Sequence, residues 1–192
     1  MQMLHAGTQT IETPRLILRR FTTEDAQAMY DNWASDPEVS RYLTWPTHPN
    51  VEATRQLLAT WVEQYEKPDV YQWAIGLRAA DGMPIGSISV VTLNERTHSA
   101  EVGYCIGRPW WHQGITSEAL EAVLGYLFGT VGAWRVSARH DPHNPHSGGV
   151  MRKCGMRLEG TLRQADVNNQ GVCDVSIYGI LAQEYADAHG LT

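Results

Sequence analysis

Three histidines, His140, His143 and His146, recur at every third position of HDPHNPHSGG, residues 140–149. Histidine suits proton transfer near neutral pH, and it is the commonest nitrogen ligand of zinc. Zinc, however, needs three or four ligands converging on one point. A three-residue spacing aligns side chains along one edge only of a polyproline-type run, which Pro142 and Pro145 favour, and that spreads them along a line. Cys105, Cys154 and Cys173 do not help: they are odd in number, far apart and without a C-x-x-C pair. That usage speaks against a disulfide framework and a cysteine-rich zinc site, and reads as small buried thiols. No metal is expected, and the three histidines read as loop residues.

A second stretch carries different chemistry. EVGYCIGRPWWHQGITSEAL, residues 101–120, runs from a strand through a short polar loop with Gly114 into a helix. The first turn of a helix exposes unpaired N–H groups at the positive end of its dipole, and glycine lets an anion come close to the backbone. That arrangement can hold a phosphate or pyrophosphate, although an ordinary strand–loop–helix join reads the same way. It is neither a P-loop, lacking G-K-[ST], nor a G-x-G-x-x-G loop.

The elements that must position these stretches follow from periodicity. RLILRRF (15–21) alternates as a first strand. Thr22, with Asp25 three residues on, can cap a helix that puts Ala26, Met29 and Trp33 on one face. Residues 36–49 carry three prolines and read as irregular. Asn50 can cap a second helix with an apolar stripe of Leu57, Leu58, Trp61, Val62 and Tyr65. Strands follow at 71–78, 84–93 and 100–107, then a helix at 116–129, a strand at 133–139, and a short helix from near Ser147 to Gly155. Two strands, 157–167 and 172–181, close the chain around the polar turn NNQG. The order is strand, two helices, three strands, helix, strand, helix, two strands. That is an α+β (mixed α/β) fold with a mixed sheet rather than a regular βαβ alternation.

Composition bounds the function. A chain of 192 residues without repeat or linker predicts one domain over 1–192, with residues 1–12 a loose N-terminal extension. Its net charge of −6 disfavours nucleic acid, and no apolar run reaches the ~18 residues of a membrane helix. MQMLHAGTQT lacks the features of a signal peptide, so a cytoplasmic protein is expected.

Five motifs, in order along the chain, resemble one family. WWHQGITSEA (110–119) is similar to the acetyl-CoA pyrophosphate loop of the GNAT acyl-CoA N-acyltransferases, most of all the Rim-type ribosomal-protein N-terminal acetyltransferases. TPRLILRRFTTED (13–25) and AEVGYCIG match that branch's opening and fourth strand. NPHSGGVMRKCGMRLEGTLRQAD (144–166) and DVSIYGIL (174–181) match its later segment and last strand. His112, Thr116, Gly148, Gly149 and Met156 depart from the branch's usual residues. The resemblance implies a mostly antiparallel, strongly twisted sheet of about seven strands flanked by about four helices, splayed into a V between strands 4 and 5.

It also implies a site. The backbone of Cys105, Ile106 and Gly107 would pair with the pantetheine arm. The N–H groups of His112, Gln113, Gly114, Ile115, Thr116 and Ser117 would hold the pyrophosphate, and Asn144 would bond the pantetheine or its loop. An amine would attack the thioester directly, with the Ile106 N–H as oxyanion donor. Where many members of the family carry a tyrosine acid this chain has Met151, and Ser147 stands where the branch has its serine, so the resemblance implies Ser147 as donor to the departing thiolate, unless it only caps its helix. The base would be Asp166 or Glu101, and either could instead be a strand-surface ion-pair partner. The acceptor wall would come from 45–50 with His48, the second helix and the last two strands. A protein N-terminus is the leading acceptor and a small-molecule amine the alternative. A non-catalytic CoA-binding module is a further reading, and a homodimer is compatible with all of them.

Overall fold

The alternation of apolar and polar residues builds one eight-stranded sheet in a computed structural model that describes residues 3–191. Its strands are β1 (Ile11–Glu12), β2 (Leu16–Arg19), β3 (Gln72–Leu77), β4 (Met83–Asn94), β5 (Ser99–Ile106), β6 (Arg135–His140), β7 (Arg157–Asn168) and β8 (Gly171–Leu181). They lie in the order β1-β2-β3-β4-β5-β6-β8-β7, and every neighbouring pair is antiparallel except β5 with β6. The α+β class is as expected, with one strand more than expected. Ile11 and Glu12 pair with Leu18 and Ile17 over too short a run to leave a periodic signal.

Among the described residues six α-helices flank the sheet rather than about four: α1 (Ala26–Met29), α2 (Pro37–Ser40), α3 (Val51–Gln64), α4 (Ile115–Tyr126), α5 (Pro145–Lys153) and α6 (Ala182–His189). Helix α2 lies inside the proline-rich stretch read as irregular; Asp36 caps it, accepting from Glu38 N–H at 3.0 Å. Helix α6 follows the last strand, where Leu181 N–H donates to Glu184 at 3.0 Å. At the first helix, the Asp25 carboxylate accepts from Thr22 N–H at 2.8 Å, as the T-x-x-D spacing predicts, and Arg19 grips it at 2.7 Å.

Residues 3–12 are not a loose extension. Met3 and Thr8 are 4% and 2% exposed. Leu4 N–H donates to Val131 O at 2.9 Å, and Tyr126 Oη–H donates to Gly7 O at 2.7 Å.

Period-two alternation splits the core. Trp73, Ile75, Val102 and Ile106 face α4 and α5. Ala74 and Cys105 face the opposite layer, where Met29, Trp33 and Leu58 of the first helices pack. The expected splay falls between β5 and β6, the added first strand having shifted the count. Their parallel ladder runs from Ser99↔Arg135 to Val102↔Ala138 and stops. Beyond it, β5 continues to Ile106 paired with β4 alone. A bulge in β4 between Val90 and Thr92 lies opposite the last rungs, and bulges strengthen local twist.

Candidate active site

Two hollows open at this fork. A cleft of about 650 Å³ lies between β5 and the N-terminal ends of α4 and α5. A pocket of about 220 Å³ lies on the far side, against β7 and β8. Tyr104, Asn144 and Ser147 line both, as do Tyr42 and Leu43 of the loop after α2.

The cleft is made largely of backbone. His112 (φ 60°) and Gly114 (φ 72°) take the left-handed conformation that folds the loop sharply before α4 begins at Ile115. Among the described residues, no N–H from His112 to Ser117 donates to a main-chain or side-chain acceptor within the protein. Five of these residues, His112, Gly114, Ile115, Thr116 and Ser117, line the cleft's end at the positive pole of α4. Lys153 also lines the cleft and forms no ion pair among the described residues. Sequence reasoning missed that ammonium, which belongs to the last turn of α5 and meets α4 only in the fold.

The loop is pinned from a distance. Arg15 donates through Nη1 to Gln113 O at 3.0 Å and through Nε to Glu118 at 2.6 Å, while Thr13 Oγ1 donates to the same carboxylate at 2.6 Å. Burial pushes the Glu118 carboxyl up, but these donors outweigh it and hold it below the ordinary carboxylate range. The T-P-R opening of the chain thus works as the loop's anchor.

On β5 the expected trio divides. Gly107 N–H donates to Ile85 O at 2.9 Å, so Gly107 turns toward β4, and by alternation so does Cys105. Ile106 turns the other way, into the fork, and its carbonyl accepts Trp111 Nε1–H at 2.8 Å. Its N–H faces the region where β6 has departed. Gly107 is required, because a Cβ there would press into the Asn32 carbonyl and the Trp110 ring.

The pocket is made of side chains. Glu101 and Asp166, the two alternative bases, converge on one guanidinium: Arg139 Nε lies 2.9 Å from Glu101 and 3.6 Å from Asp166. Val167 N–H takes the other Asp166 oxygen at 2.8 Å. Ser147 does not cap its helix. Helix α5 starts at Pro145, a residue suited to a first helical turn, which leaves Ser147 inside that turn. Its Oγ–H donates to the Tyr104 hydroxyl at 3.2 Å, and Tyr104 Oη–H donates to the Ser147 carbonyl at 2.9 Å. Burial pushes the Tyr104 phenol far above its ordinary range, which keeps it protonated. Asn144 precedes α5, and its side chain bonds no other described residue.

Asp141 fixes the loop that carries these groups. Its side chain is 4% exposed and accepts from His143 N–H at 2.8 Å, from His143 Nδ1 at 2.9 Å and from Asn168 Nδ2 at 2.7 Å. Burial pushes this carboxyl up, but the His143 and Asn168 donors prevail and hold it below the ordinary range. Next to Asn168, Asn169 ties down the loop after α2. Its N–H donates to Leu43 O at 3.2 Å, and its Nδ2 to Ser40 O at 2.8 Å and Trp45 O at 2.7 Å.

The pocket is walled by Tyr42–Thr44 with β7 and β8, and neither the 45–50 segment nor the second helix lines it. His48 lies outside both hollows, bonded to Thr54 Oγ1 at 2.7 Å, with burial lowering its pKa. The three histidines of 140–149 point three ways. His140 packs beneath Gly148, where a Cβ would strike its ring; His143 meets Asp141; His146 faces His112 edge-on at 4.6 Å across the cleft mouth.

Comparison with known proteins bears on family and fold. A family model described as Acetyltransferase (GNAT) domain matches residues 15–157. The Uncharacterized N-acetyltransferase YoaA of Bacillus subtilis (strain 168) is 32% identical over 171 residues, covering 89% of this chain and 96% of the relative. The [Ribosomal protein uS5]-alanine N-acetyltransferase of Escherichia coli (strain K12) is 25% identical over 158 residues, 78% of this chain and 79% of the relative. A crystal structure of a GNAT-family acetyltransferase from Bacillus anthracis superimposes with a TM-score of 0.79 at 26% identity, covering 91% of this chain and 99% of that one. No helix among the described residues is long and apolar enough to cross a membrane.

Proposed function

This chain belongs to the GNAT acetyltransferase family, and we propose that it moves an acetyl group from acetyl-CoA to a primary amine, the N-terminal α-amino group of a protein. The observation that carries the reading is the meeting of two hollows at Tyr104, Asn144 and Ser147. One suits an extended donor with a diphosphate, and the other suits one amino-terminal residue. Similarity to an enzyme named for a ribosomal-protein alanine supports the choice of acceptor.

The residues fit acetyl-CoA. The free N–H groups of His112–Ser117 and the Lys153 ammonium offer the pyrophosphate a cationic end. The strand edge at Ile106 offers the pantetheine a backbone partner, and Asn144 offers an unused amide. Ile106 N–H donates to the oxygen that gains charge as the amine attacks the carbonyl carbon. Asp166 receives the amine's proton, directly or through water; its Oδ2 lies at 3.6 Å from Arg139, while Glu101 is held closer at 2.9 Å. Ser147 Oγ–H turns to the departing thiolate.

A panel of short peptides with different first residues, set against polyamines and amino acids, tests the reading with acetyl-CoA as donor. Transfer to peptides with a small first residue is expected. Preference for a free small amine overturns the acceptor class, and acetyl-CoA binding with no transfer to any amine overturns the enzyme reading. Asp166→Asn should flatten the acid limb of the pH–rate profile, and an unchanged profile moves the base to Glu101.

A further inference from the structure

Tyr104 stands at the fork with a hydroxyl that packing does not explain. It shares a strand face with Val102 and Ile106, both buried and apolar, and it is the first residue on that face beyond the last β5–β6 rung at Val102↔Ala138. A phenylalanine ring would fill the same space. The hydroxyl instead makes two hydrogen bonds, both to one residue: it donates to the Ser147 carbonyl at 2.9 Å and accepts from Ser147 Oγ–H at 3.2 Å.

A serine hydroxyl in the first turn of a helix is otherwise a free rotor, and it can bond nearby backbone groups instead. Tyr104 removes that freedom. It holds Ser147 Oγ at the junction of the cleft and the pocket, and both residues line both hollows. The pair also has an order of donation. When Ser147 Oγ–H leaves Tyr104 for an anionic sulfur, the phenol O–H can swing from the Ser147 carbonyl onto a lone pair of Ser147 Oγ. A hydroxyl that accepts one hydrogen bond donates a stronger one, because the chain of dipoles polarises cooperatively. No proton leaves Tyr104 in this rearrangement; only the direction of donation changes.

We propose that Tyr104 is the positioning residue for Ser147, presetting its hydroxyl and then strengthening its donation to the departing thiolate. This rests on the proposed acetyl transfer and on the role of Ser147 in it. The experiment is a double-mutant cycle of Tyr104→Phe and Ser147→Ala in the full chain, reading kcat and acetyl-CoA KM. Tyr104→Phe should lower kcat about tenfold, the scale of one hydrogen bond, with acetyl-CoA KM close to wild type. In the Ser147→Ala background the same change should cost less than about twofold, since the group it positions is gone. Full kcat in Tyr104→Phe, or losses that multiply in the double variant, overturns the proposal and leaves Ser147's role standing. Full kcat in Ser147→Ala overturns that role, and Tyr104 has then nothing to position.

Discussion

The cleft beside α4 and the pocket beside β8 share a wall, yet they are built from different material. The cleft presents main-chain N–H groups, held by the turn at His112–Gly114 and by Arg15. The pocket presents Glu101, Arg139 and Asp166, joined by ion pairs, beside a loop that Asn169 of the hairpin turn ties down. A backbone site tolerates changes of side chain and fails when the backbone moves. A side-chain site keeps its shape under backbone adjustment and fails when one remote tie is cut.

The sharpest way to break the contrast is at Gly107. Gly107→Ala pushes a methyl into the Asn32 carbonyl and the Trp110 ring, so the strand end must shift. Overpacking of this kind costs up to about 3 kcal/mol, which corresponds to about 100-fold in affinity if the strain falls on the cleft. Acetyl-CoA KM should rise by that order while acceptor preference is kept. On the other side, Asn169→Ala removes two side-chain hydrogen bonds, to Ser40 O and Trp45 O. At roughly 1 kcal/mol each, they predict acceptor KM raised about tenfold or more with acetyl-CoA KM unchanged, read by initial rates against each substrate in turn. If both constants rise together, the hollows are not separable.

Asp141 touches both regions and sharpens the comparison through pH. Its carboxyl lies below the ordinary value of about 3.9. The stability it contributes is therefore fully present above that value and is lost as pH falls through the lower folded value. Asp141→Asn should be less stable than wild type at pH 7 and should show a shallower loss below about pH 4 by thermal melts, because the titrating group is gone. The smallest effect belongs to His112. His112→Gly relieves a left-handed residue (φ 60°) and should add about 1 kcal/mol of stability. Acetyl-CoA KM should stay within about twofold, since the backbone N–H remains; a larger rise would show that the imidazole binds.

The same contrast explains what the sequence made legible. All strands but β1, with α3, α4 and α5, follow from local periodicity, and their ends fall within a few residues of the expected ones. The loop at 112–117 is written contiguously, so spacing and resemblance reach it together. The ties between Arg15 and Gln113, Asn169 and Trp45, and Tyr104 and Ser147 span tens of residues with no local pattern. Nothing in local spacing sets Tyr104 apart from other strand aromatics or Lys153 from other helical cations. Helix α2 was hidden by its prolines, although the Asp-Pro start is itself an N-terminal signal. Glu101 and Asp166 were legible as candidates; that they share one arginine was not.

The parting of β5 from β6 has a thermodynamic side. Past Val102 the sheet carries an unfinished hydrogen-bonding edge in its middle, a place where native sheets seldom leave one. A ligand that docks along Ile106 completes the ladder, and it does so only when the fold is present. Folding and loading are then one linked equilibrium. Each tenfold rise in ligand above its Kd adds about 1.4 kcal/mol to the folded state, and the melting temperature becomes a gauge of occupancy.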